Sequence, residues 1–103
     1  MEHMQDMQHA LQNKYKTMWE PICPENGQNK VLWLIGEIGE VIDLIKKQGH
    51  GKIMDDPDIR RDFVEELADV LMYYNDVMLC YGVTPDELKQ SYEAKFQRNM
   101  KRW

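Results

Sequence analysis

Two long stretches of the chain, roughly residues 28–47 and 57–81, repeat apolar side chains every three to four positions, with no strand-like alternation. In the first, Val31, Leu34, Ile35, Ile38, Val41, Ile42 and Ile45 make one broad apolar face. In the second, Phe63, Val64, Leu67, Val70, Leu71, Tyr74, Val77, Met78 and Leu79 cover most of the circumference, so this helix should be the central, most buried element. A period near 3.6 cannot lie on a pleated sheet, and the expected class is all-α.

Two further helices complete the reading. Met4, Met7, Leu11, Tyr15 and Met18 predict an amphipathic helix over about residues 2–19, closed off by Pro21, Pro24 and Gly27, and this methionine stripe reads as core. Gly49 and Gly51 end the second helix, and residues 48–58 read as a flexible connection with Asp56 as the N-cap of the third. Gly82 fits a left-handed cap. Thr84-Pro85-Asp86-Glu87 then carries a capping box with proline at the first helical position, which starts the fourth helix. A four-helix bundle in one domain, residues 1–103, follows. Its core is modest for its length, and oligomerisation would enlarge it.

Against this apolar background stand two matching acidic pairs, Glu37-x-x-Glu40 and Glu66-x-x-Asp69. Residues three apart share a helix face, so each pair projects two carboxylates in one direction. Four acids brought together in a partly dry site repel unless protons or cations neutralise them. Oxygen-only ligands suit Mg²⁺ or Mn²⁺; zinc and di-iron sites expect histidine, and none lies near either pair. On the second helix the acids share a stripe with Trp33 and Leu44, where the indole either stacks on a flat ligand or fills a helix interface. The corresponding stripe of the third helix runs Asp62, Glu66, Asp69, Tyr73, while Glu65 and Asp76 read as exposed acids.

Lys95, Asn99 and Arg102 fall on one side of the last helix beside Tyr92, Phe96 and Trp103. They form either a solvated basic face or a clamp for phosphate oxygens. Gly49-His50-Gly51-Lys52 is too short for a phosphate-binding Walker loop. His3, His9 and His50 read as solvated, with His50 placed where a mobile loop could reach a substrate.

A net charge of -5 and a pI near 5.1 argue against binding nucleic acid polymers or anionic membranes. The longest apolar run, Val31 to Ile35, is too short to span a bilayer, and no export signal is evident. Cys23 and Cys80 form no C-x-x-C pattern, which fits reduced thiols in the cytoplasm.

Gly36-Glu37-Ile38-Gly39-Glu40, followed after 25 residues by Glu66-Leu67-Ala68-Asp69, resembles the signature of the MazG-like all-α nucleoside triphosphate pyrophosphohydrolases. Tyr73 and the ending Lys95-x-x-x-Asn99-x-x-Arg102-Trp103 are similar to the dCTP-pyrophosphatase-like branch, and the resemblance spans about residues 28–103. It implies a helical dimer or dimer of dimers, with Mg²⁺ held by Glu37, Glu40, Glu66 and Asp69. The implied reaction is hydrolysis of a nucleotide to its monophosphate and pyrophosphate, with Glu37 or Glu40 orienting or deprotonating the water. Trp33, Tyr73, Lys95, Asn99 and Arg102 would contact the substrate. Gly36 stands where family members often carry a further acid. Two rival readings remain: a phosphohydrolase for another phosphorylated metabolite, or a noncatalytic helical module whose acids pair with residues such as Lys30 and Arg60.

Overall fold

A computed structural model describes residues 2–102 as five α-helices: α1 (Glu2–Lys14), α2 (Gly27–Gln48), α3 (His50–Asp55), α4 (Pro57–Cys80) and α5 (Pro85–Arg102). A single 3-10 turn, Pro24–Asn26, leads into α2, and no strand occurs among the described residues. Trp103, part of the terminal motif, lies outside them.

The helix ends follow from local chemistry. Asp56 caps α4 as expected, its carboxylate accepting from the backbone N–H of Asp58 at 3.0 Å and of Ile59 at 3.3 Å. Thr84 Oγ1 accepts from the Glu87 N–H at 3.2 Å and starts α5. Gly82 takes φ +66, the left-handed value that glycine adopts without steric cost.

Two expected element boundaries are corrected. Residues 48–58 are not a flexible connection: Gly49 alone turns to φ +82, while Gly51 is helical within α3, whose Ile53 is buried. A glycine pair signals a break, but one positive φ is sufficient to make it, and the apolar anchor at Ile53 lets the remainder coil. The first helix stops at Lys14 instead of running to residue 19. Pro21 biases the residue before it away from the helix. Tyr15 meanwhile stacks on Trp19, with ring centroids 4.7 Å apart, and the Trp19 N–H bonds the Tyr15 carbonyl at 2.8 Å in a closing turn.

Helix α4 is the hub: α1, α2, α3 and the 3-10 turn all pack against it, whereas α5 makes no extended packing with any of them. The α2 surface turned toward α4 carries Leu34, Glu37, Val41 and Leu44, all half-buried. The greasier stripe of Val31, Ile35, Ile38, Ile42 and Ile45 is exposed, as are Val64, Leu67 and Leu71 of α4. Nor do the methionines form a core; Met4, Met7 and Met18 are exposed and Met78 is buried. The chain shows 8026 Å² to solvent, against roughly 6,100 Å² for a compact monomer of its mass. Its radius of gyration is 16.2 Å, where about 13 Å is usual for this length. No described helix is long and apolar enough to cross a membrane.

Candidate metal and nucleotide site

Four residues of α2 and four of α4 share one spacing, three, four, three: Lys30, Trp33, Glu37, Glu40 and Glu66, Asp69, Tyr73, Asp76. Each set therefore lies along a single helical stripe. The stripes meet antiparallel. Lys30 acts electrostatically on Asp76, Trp33 stacks on Tyr73, Glu37 feels Asp69, and Glu40 reaches Glu66. Going up the seam, the chemistry changes from a cation and an anion, through two aromatic rings, to four acids.

At the acidic end, Glu37, Glu40 and Glu66 each offer an oxygen within 4.8 Å of the others. Asp69 is half-buried beside them but outside that set. Oε2 of Glu37 and Oε2 of Glu66 are buried and take no hydrogen bond from any described residue. Burial raises the proton affinity of the Glu37 carboxyl, helped by hydrogen bonding to and repulsion from Glu40, then by Asp69 and Glu66. The Glu66 carboxyl is likewise raised, first by burial and then by Glu40, Asp69 and Asp62. No described cation relieves this: the ion pair recorded is Arg61 with Asp58, at 3.0 Å on the surface of α4. The proposed pairing with Lys30 or Arg60 is not formed. Orphaned buried oxygens, mutual repulsion and an all-oxygen donor set fit a hard divalent cation.

Trp33 and Tyr73 lie nearly parallel, 14° apart with centroids at 6.3 Å. Burial, then the charges of Glu37, Asp76, Asp69 and Glu40, hold the Tyr73 hydroxyl protonated above its usual range. Beside these rings opens a cavity of about 410 Å³ whose wall includes Glu37 and Asp69 at one end and Gln8, Gln12, Lys30 and Asp76 at the other. Trp19, delivered by the turn after α1, also lines it.

The far end was not anticipated. Asp76, expected to be exposed, is only 2% exposed, and Gln8, Gln12 and Lys30 are 6% exposed each. The signal was present, since Asp76 extends the stripe of Glu66, Asp69 and Tyr73 by one more three-residue step. Gln8 and Gln12, four apart on α1, have no such marker; only packing onto α4 reveals them. Glu65 is exposed as expected.

Lys95, Asn99 and Arg102 are exposed on α5 and do not line the cavity within this one chain. His50 opens α3 on the surface, also away from the cavity. Gly36 and Gly39 have open space where a Cβ would stand, so they make no close helix contact within the chain.

Residues 25–102 match the family model described as the MazG nucleotide pyrophosphohydrolase domain. No curated protein and no solved structure gives a significant match.

Proposed function

The chain belongs to the MazG nucleotide pyrophosphohydrolase domain family, and we propose that it hydrolyses nucleoside or deoxynucleoside triphosphates to monophosphate and pyrophosphate with Mg²⁺. Nucleotide pyrophosphohydrolase activity in general comes with the family, which is typically dependent on a divalent metal. The observation that carries the finer reading is the acidic cluster, three carboxylates within 4.8 Å, opening onto a cavity walled by stacked aromatic rings. Glu37, Glu40 and Glu66 would hold the metal, with Asp69 beside them, and Mn²⁺ is an acceptable substitute for Mg²⁺. When bound, the ion neutralises phosphate charge and acidifies water.

The protein's own groups supply the rest. Glu37 or Glu40 takes a proton from the attacking water as the new P–O bond forms at the α-phosphorus and the bond to the bridging oxygen of the leaving pyrophosphate breaks. Trp33 and Tyr73 stack on the flat part of the nucleotide. Lys95, Asn99 and Arg102 neutralise the leaving pyrophosphate from α5 of a second chain in a homodimer or homotetramer. The bare apolar stripe of α2, the excess surface and the undocked α5 all support such an assembly. The cellular role we assign is clearance of noncanonical or surplus deoxynucleotides in the cytoplasm.

Incubation with a panel of nucleoside triphosphates and Mg²⁺ is the direct test: monophosphate with pyrophosphate is expected, whereas diphosphate with inorganic phosphate would refute the reading. Mg²⁺ should also raise the melting midpoint with concentration, as a ligand of the folded state does.

A further inference from the structure

The polar end of the cavity takes no part in holding metal or moving protons, yet it is the most thoroughly buried polar assembly among the described residues. Burying Gln8, Gln12, Lys30 and Asp76 together is costly unless their polar atoms find partners. Some have. Gln8 Nε2 and Gln12 Nε2 both donate to Asp76 Oδ1, at 2.8 and 3.0 Å. An ionised carboxylate only accepts, so both amides must turn their NH₂ groups toward it, which points both amide oxygens elsewhere. Those two oxygens and Asp76 Oδ2 receive no hydrogen bond from any described residue. Nor does the Lys30 ammonium make a hydrogen bond or ion pair with one, although it lies near enough to Asp76 to act on its charge. The floor of the cavity thus presents three acceptors and one donor, one aromatic step away from the acids.

We infer that this floor is the base subsite and that Asp76, clamped by Gln8 and Gln12, is a specificity-determining residue selecting nucleobases that carry an exocyclic amino group. The inference rests on the nucleotide-hydrolysis reading for what occupies the acidic end. An amino group brings two N–H donors, enough to satisfy Asp76 Oδ2 and one glutamine oxygen, while Lys30 donates to the neighbouring ring nitrogen or carbonyl. A base with a carbonyl at that place sets its lone pairs against these acceptors, closing them off from solvent without a donor. Sites built to bind an N–H reject analogues that lack it for this reason. Trp33 and Tyr73 offer faces for the ring between floor and phosphates.

The test compares substrates that differ by a single amino-to-carbonyl exchange: cytosine against uracil and adenine against hypoxanthine, as triphosphates with Mg²⁺ and the full chain. The amino member of each pair should have a kcat/KM roughly 10- to 100-fold higher. In Asp76→Asn that ratio should fall toward one. A second readout needs neither metal nor turnover: quenching of tryptophan fluorescence by the monophosphates, with the cytosine and adenine nucleotides binding more tightly than uracil and hypoxanthine. It keeps the proposal open to refutation if Asp76→Asn does not fold. Equal kcat/KM and equal quenching within each pair, or a preference for the carbonyl members, would overturn the base assignment while leaving hydrolysis intact. Preferential quenching with no hydrolysis of any nucleotide would instead uphold the subsite and sink the hydrolytic reading.

Discussion

At the scale of single residues, the acidic end of the seam is held in a state that the protein on its own disfavours. Glu37 and Glu66 bind protons more tightly when folded than at their ordinary value of 4.5, because burial and neighbouring acids penalise the charge. The folded chain therefore carries more protons than the unfolded one between 4.5 and the raised values, and apo stability must fall as pH rises through that window. Thermal melts in chelator across pH should show this decline, and Mg²⁺ should reverse it. Glu66→Gln removes one of the repelling charges. Its melting midpoint without metal should rise above that of the parent at neutral pH, while kcat falls by about 100-fold or more, the upper end of what losing a ligand's supporting partner costs. A variant that melts lower and turns over normally would remove Glu66 from the metal site. Gly27 makes a separate residue-scale point, since a Cβ there would collide with the Tyr81 ring. Gly27→Ala should cost about 1–3 kcal/mol in denaturant unfolding.

At the scale of elements, what was legible in the sequence was what local rules govern. Asp56, Gly82 and Thr84 mark helix ends through hydrogen bonds and φ values set within a few residues, and all three act as expected. Asp56→Ala should lower stability by about 1 kcal/mol in a denaturant melt, through fraying of the first turn of α4. The acidic stripes were legible for the same reason, since helical spacing alone places Glu37 with Glu40 and Glu66 with Asp69. What was not legible depended on which helix lies opposite. Helix α2 has a broad apolar face and a stripe of acids with tryptophan, and hydrophobicity alone predicts that the former faces α4; the structure instead turns Glu37 toward α4 with Leu34, Val41 and Leu44, leaving Trp33 59% exposed at the rim of the seam. Asp76 was missed because an acid on a helix is usually solvated, and only α1 folding over it with two glutamines makes its burial tolerable. The position of α5 raises the matching question for Lys95. If it serves the site of another chain, mixing Lys95→Ala with Glu66→Gln, each impaired alone, should raise activity above that of either variant through sites that receive an intact copy of both residues. No recovery after co-refolding would place Lys95 outside a shared site.

At the scale of the whole molecule, the single chain exposes more surface than its mass warrants and does so along continuous apolar stripes. Sedimentation equilibrium should give a multiple of 12.3 kDa. Ile42→Glu, a charge set in the exposed α2 stripe, should shift that mass toward one chain and lower the melting midpoint. An unchanged mass would exclude that stripe from the interface. The same economy of positions governs the clamp that joins α1 to α4. Asp76 anchors one helix to another and stands at the floor of the cavity, so it cannot be exchanged to serve one purpose without disturbing the other. A lineage that altered its substrate preference at this position would need compensating changes at Gln8 and Gln12 to keep α1 in place. Correlated substitution among positions 8, 12 and 76, with the acids left untouched, is the evolutionary trace such an arrangement should leave.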